Sequence, residues 1–369
     1  MSIIPTAHAD TETSSEYAED IFEAIDMDEL NALVEDGFAL FENSDFASVV
    51  NNIINGNFSL DYSDIFSFIL SLIGVSIGDL LTLMITVVAI AIVYSILGAL
   101  KGNASSESIG KIVHFASLSA IIAVVGSSTM SMFTMCADTL SVASGQINVI
   151  LPIILTLMAS VGASGTASVF QPAVAVLTSG LFNLLSSVLL PMLIAGFAFG
   201  VIGNLTGELK LGKTADFFNS SVKWLFGVGF FIISAFLSVQ GITASVFDGI
   251  SVRSAKFTIG KFVPVIGGYL SDGFNLVISG GVLVKNALGY TTLLLLASTL
   301  LPAIIKIGIY SLCLRLCAAT VEPLGDKSMS NLLSAVANTA SMTGAVMTGA
   351  AFLYFVFVLI IISSGNVIL

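Results

Sequence analysis

Few residues of this chain could carry covalent chemistry, and their spacing does not assemble a reacting centre. The only histidines, His8 and His114, cannot form an H-E-x-x-H zinc site, and neither a G-x-S-x-G nucleophile elbow nor a P-loop occurs. Without a P-loop the chain does not hydrolyse nucleotide by that route. No catalytic residue, metal ligand or cofactor is assigned, and the expectation is a non-enzyme. Three cysteines are too few for a disulfide framework. Cys313 and Cys317 share a helix face at i, i+4, a pair that redox or metal chemistry could use. Cys136 ends an apolar run, where thiols act as small apolar residues.

Charged groups beside apolar runs are the better candidates. At the centre of a membrane helix each costs roughly 2.5–3.5 kcal/mol on insertion scales. Arg253, Lys256, Lys261, Asp272, Lys285 and Glu322 lie in mixed stretches, where they could line a polar channel or meet a partner. Equally, they could snorkel and anchor loops at the headgroups. The segment 250–290 is the proposed functional surface. Small residues give a second signal. Gly196-x-x-x-Gly200 and the series Ser341, Ala345, Gly349 place small side chains on single helix faces, which lets helices pack closely within or between protomers.

The elements that must position these groups are membrane helices. The chain is 56% hydrophobic and only 10% charged, with a mean hydropathy of +1.02, outside the range of soluble domains. Its net charge of −12 is unevenly spread, since residues 1–79 hold sixteen acids and no base, and Lys101 is the first base. Bases scattered between apolar runs exclude a nucleic-acid patch. Between these zones, Leu80–Leu100 carries no charge, and twelve of its residues are Leu, Ile or Val. At about 1.5 Å per residue it matches a hydrocarbon core about 30 Å thick.

Ahead of it, Ala7-His8-Ala9 has the small-x-small form of a signal-peptidase site, so 1–9 reads as a signal-peptide remnant. Residues 10–76 read as an acidic region of amphipathic helices that anionic lipid repels. They include a helix with Phe46, Val49, Val50, Ile53 and Ile54 inward, closed by Gly56, and an interfacial helix over 62–76. The multi-span domain is 77–369. Further spans are expected near Ile112–Cys136, Lys223–Gln240, Leu288–Lys306 and Ala345–Ile362. A polar connection carries Asp138 and Gln146, and a basic amphipathic stretch leads to Lys327. Pro152, Gly162, Gly165, Pro172, Gly180 and Pro191 divide 148–205 into either one span plus a re-entrant pair or three tight spans. The fold class is all-α: a polytopic helical membrane protein with six to eight spans, or re-entrant segments among them, and a small extracytoplasmic helical region. With the N-terminal region outside and 262–284 not crossing, both termini lie outside with eight bases inside and four outside, against six and six if 262–284 crosses, so the positive-inside rule favours the first.

Several segments resemble one family. Phe170-Gln171-Pro172-Ala173, Arg253-Ser254-Ala255-Lys256, Gly260 to Gly268, Val282 to Gly289 and Glu322-Pro323-Leu324-Gly325 are similar to the stage III sporulation protein AE family. So is the order of parts. The resemblance implies a multi-pass protein of the mother-cell membrane facing the engulfed forespore, in a secretion-like channel complex with other membrane and ATPase components. It implies no catalytic residues. Other expected contacts are the lipid bilayer and a second copy of the chain. The alternative reading is an autonomous small-molecule permease or secondary transporter, built on the same interrupted helices.

Overall fold

The computed structural model describes residues 46–58, 62–99, 107–160, 162–205, 211–262, 267–324 and 327–364, with side chains at 62, 79, 98–99, 107–109 and 241–277 excepted. The expected signal remnant 1–9 and the acidic region up to residue 45 lie outside the described residues. Those described are almost wholly helical, without strands. Six helical stretches are long and apolar enough to cross a membrane: Ser63–Leu97, Gly110–Ser160, Ser164–Leu205, Gly212–Gln240, Ile278–Leu324 and Lys327–Ser363.

Helix α1, Phe46–Ile54, buries Phe46, Val49, Val50 and Ile54, the face its spacing marks out. It ends in a Schellman turn. Gly56 takes φ +67°, its N–H reaching Ile53 O at 3.2 Å and that of Asn57 reaching Asn52 O at 2.9 Å. The expected interfacial helix and first span are one helix, α2, Tyr62–Ala99, which runs through residues 76 and 77 without a break. No Pro or polar run interrupts Ser76-Ile77-Gly78, so the backbone has no reason to leave the helix there.

Helix α3 covers Glu107–Ser160 and corrects the expected end of the second span at Cys136. The supposed polar connection is helical. Asp138 is exposed, while the Gln146 amide donates to Thr299 Oγ1 at 3.0 Å, so each polar side chain finds an outlet without unwinding the backbone. At about 1.5 Å per residue α3 is about 80 Å long, more than one perpendicular crossing of a ~30 Å core requires.

Neither division expected for 148–205 occurs. After α3 comes one Schellman turn, with Gly162 at φ +91° and the N–H of Ala163 bonded to Met158 O at 2.9 Å. A single helical path then runs to Leu205. It comprises α4 (Ser164–Ala175), two π-helical turns at Val176–Leu181 and Leu184–Leu189, and α5 (Leu190–Leu205). Pro172 removes the donor that would reach the Ser168 carbonyl one turn before it, yet the path stays helical, with the wider turns further on. Ser144 of α3 donates to Thr178 O at 3.1 Å, so a carbonyl of the first π turn is satisfied from the neighbouring helix.

Helices α6 (Gly212–Phe262), α7 (Gly267–Val321) and α8 (Lys327–Ser363) complete the body, with a 3₁₀ turn Glu322–Leu324 before α8. The last two expected spans are therefore parts of longer helices, and the basic stretch before Lys327 continues α7. Helix α7 is the central post, packing against α1, α2, α3, α6 and α8. Its pairing with α8 is antiparallel along its length: Lys285 meets Ile362, Ile307 meets Gly344, Ser311 meets Ser341, and Ala318 meets Ser330. Lipid tails are as apolar as leucine, so close packing and interhelical hydrogen bonds hold such a body together.

Candidate functional site

The glycines Gly196 and Gly200 of α5 face α6. A Cβ on Gly196 would lie 3.0 Å from Asn219 Oδ1, and one on Gly200 would lie 3.9 Å from the Ala215 methyl. A Cβ on Gly203 would lie 3.4 Å from the Gly212 nitrogen at the start of α6. The bare faces let α5 and α6 form a tight antiparallel hairpin, beside which the N-terminal half of α8 packs. Between the three helices lies a cavity of about 320 Å³. Its polar lining is Asn204, Asp216, Asn219, Asn338 and Thr339.

Helical repetition explains why these groups converge. Gly196, Gly200 and Asn204 recur every four residues on α5, as do Ala215 and Asn219 on α6 and Ala335 and Thr339 on α8. Each small residue opens space for the polar one a turn away. Asn204 Nδ2 donates to Gly200 O at 2.8 Å, and Thr339 Oγ1 to Ala335 O at 3.2 Å. Asn338 Oδ1 accepts from Arg315 Nη2 of α7 at 3.1 Å, and the same nitrogen reaches Ser341 Oγ at 3.0 Å. Ser341 in turn shares a 2.6 Å hydrogen bond with Ser311. Asn219 Oδ1 is buried with no hydrogen-bond partner.

A second hollow, of about 420 Å³, lies where α2, α3 and α7 meet near the middle of α2 and α3. Leu80, Ser127, Ser128, Ser131, Lys306 and Tyr310 line it. The Tyr310 hydroxyl lies 2.8 Å from Thr129 Oγ1 and 3.2 Å from Val125 O, which ties α7 to α3 beside the opening.

The residues singled out from sequence are dispersed. Lys285 is fully buried, with Nζ 3.0 Å from Ile362 O and 2.5 Å from Ser364 O. There the ammonium meets carbonyls that the end of α8 leaves without intrahelical donors, at the negative end of its dipole. A Cβ on Gly289, one turn further along α7, would overlap Ile362. Glu322 is exposed in the 3₁₀ turn, far along α7 from Lys285. Arg253, Lys256 and Lys261 fall on the helical backbone of α6 and Asp272 on that of α7, with their side chains outside the described residues.

The second small-residue series does not serve one partner. Ser341 bonds to α7, Gly349 lies against the Phe226 ring of α6, and Ala345 is exposed. Cys136, Cys313 and Cys317 are buried free thiols. Sequence reasoning missed Asn204, Asp216, Asn219, Asn338, Thr339 and Arg315. The legible signal was a set of amides within apolar runs, each four residues from a glycine or alanine or next to such a pair.

The family model described as "Stage III sporulation protein AE" matches residues 44–365. Stage III sporulation protein AE of Bacillus subtilis (strain 168) is 25% identical over 283 residues, which is 76% of this chain and 70% of that protein. No solved structure matches.

Proposed function

The chain belongs to the stage III sporulation protein AE family, and from that premise we propose that it is a non-enzymatic membrane component of the channel complex joining mother cell and forespore. The family match over 44–365 carries the reading. In this role the protein sits in the mother-cell membrane, with its acidic N-terminal region on the non-cytosolic side facing the forespore. Its six spans form or gate a conduit, together with the complex's other membrane proteins and its ATPase. The orientation rests on the bases. Six crossings put the helix ends at Leu97 and Gly110, at Leu205 and Gly212, and at Leu324 and Lys327 on one face, with Lys111, Lys213, Arg315 and Lys327 at or near it.

Deleting the gene in its spore-forming host tests the role. The expected result is a forespore that engulfs but fails in late gene expression, restored by the intact gene. Normal forespore development without the gene would overturn it. A second reading, an autonomous small-molecule permease, is favoured by the polar cavity between α5, α6 and α8. Solute flux into liposomes holding this chain alone would support that reading instead.

A further inference from the structure

We propose that Arg315, fixed to α8 by Asn338 and Ser341, binds the phosphate of an anionic phospholipid. The guanidinium is held by one edge only. Its Nη2 donates to Asn338 Oδ1 at 3.1 Å and to Ser341 Oγ at 3.0 Å, which spends both protons of that nitrogen. The hydroxyls behind it run in one direction. Ser311 gives its single proton to the Ala337 carbonyl at 3.0 Å, so in the 2.6 Å bond between Ser311 and Ser341 it is Ser341 that donates. Ser341 therefore accepts from Arg315 and keeps the fork in place. Both Nη1 protons and the Nε proton are left without an acceptor among the described residues. No carboxylate answers the charge either, since neither Asp216 of α6 nor Glu322, two turns further along α7, pairs with Arg315.

The surroundings of Arg315 identify the missing anion. Leu312, Arg315, Leu316 and Ala319 form one exposed stripe on α7, and the two leucines are 57% and 48% exposed. An arginine set among bare leucines on the outside of a membrane helix faces lipid, where an unanswered charge is costly. Its depth is that of the headgroups. The helical rise puts Ser341 about 33 Å from Ser363, the end of α8, close to the thickness of a hydrocarbon core. No charged side chain of α8 lies between them. Arg315 thus stands at the core boundary, on the face that also carries Lys213 and Lys327. A planar fork with free N–H groups matches the paired oxygens of a phosphodiester. Acyl chains would lie along Leu312 and Leu316, which a free phosphate ion cannot use. In phosphatidylcholine the trimethylammonium offsets the phosphate, so a lipid with net negative charge binds more tightly. The site needs no partner protein, so it stands or falls separately from the channel role.

The test is a thermal melt of the purified full chain in a neutral detergent, followed by the loss of helical circular dichroism. Dioleoyl phosphatidylglycerol, dioleoyl phosphatidylcholine and inorganic phosphate are titrated in separate series at constant ionic strength. The expected result is a saturable rise in melting temperature with phosphatidylglycerol that the other two do not give. Arg315→Gln should raise the half-saturating lipid fraction about tenfold, the loss of one good charge-assisted contact. Asn338→Ala keeps the charge but frees the fork, so it should weaken the response less, and it serves where Arg315→Gln does not fold. Lys213→Gln, an exposed base on the same face, should titrate like the wild type. The proposal is overturned if phosphatidylcholine or inorganic phosphate matches phosphatidylglycerol. It is overturned equally if the folded Arg315 or Asn338 variant titrates like the wild type, or if Lys213→Gln loses as much as Arg315→Gln.

Discussion

The Lys285 ammonium lies 3.0 Å from the Ile362 carbonyl, so a cation from the interior of α7 closes the end of the last helix. Lys285 and Gly289 sit one helical turn apart on α7, and both meet Ile362, one by charge and the other by having no side chain. Both belong to the Val282–Gly289 segment that carries part of the family resemblance. In this structure that segment is the seat of the C-terminal helix.

Replacing the clamp tests it. Lys285→Met should destabilise the chain by about 1.5–3 kcal/mol, the range for hydrogen bonds to a charged group. The loss should be local at first. Amide exchange measured in detergent should quicken in the last turn of α8 and stay unchanged in its first turn. Equal exchange at both ends would contradict the clamp.

The glycine contacts predict a graded series. Gly289→Ala and Gly349→Ala force a methyl into Ile362 and the Phe226 ring, and overpacking of this kind costs about 1–3 kcal/mol. Gly126→Ala of α3 meets nothing within 4 Å, and should be neutral or stabilising by up to about 1 kcal/mol. Melting temperatures of the three variants in one detergent provide the comparison. A Gly126→Ala loss as large as that of Gly289→Ala would refute the packing described.

The turn between α3 and α4 depends on a left-handed residue. Gly162→Ala places a Cβ at φ +91° and should cost about 1 kcal/mol or more, read as a lower unfolding midpoint. A Gly165→Ala change lies inside α4, where helical backbone accommodates alanine, and should show no comparable loss.

Between α3 and α7, Gln146 and Thr299 exchange hydrogen bonds at 3.0 and 3.2 Å. A double-mutant cycle with Gln146→Leu and Thr299→Val should return a coupling of about 0.6 kcal/mol, typical of polar pairs between membrane helices. A coupling indistinguishable from zero would mean that the two side chains do not meet.

These sites show where sequence reading reaches and where it stops. The apolar stretches and the α1 face were legible because hydrophobicity and 3.6-residue spacing are local properties. Helix ends were not, since Pro152 and Pro172 look like breaks and both lie inside helices, α3 and α4. Gly196 and Gly200 announced a close approach by their spacing alone. Their partner Asn219, and the convergence of Asn204 and Asn338 on one cavity, depend on how α5, α6 and α8 assemble, which no local pattern encodes. Lys285 read equally well as a channel residue or a snorkelling anchor, because its role as a cap requires knowing where α8 ends.

The six-span arrangement with its acidic region outside is tested most directly by labelling single cysteines with a membrane-impermeant maleimide in intact cells. In a background with Cys136, Cys313 and Cys317 replaced by alanine, Asn57→Cys should label without permeabilisation. Lys213→Cys and Lys327→Cys should label only after it. Labelling of Lys213→Cys or Lys327→Cys in intact cells at the rate of Asn57→Cys would contradict the topology and the forespore-facing role built on it.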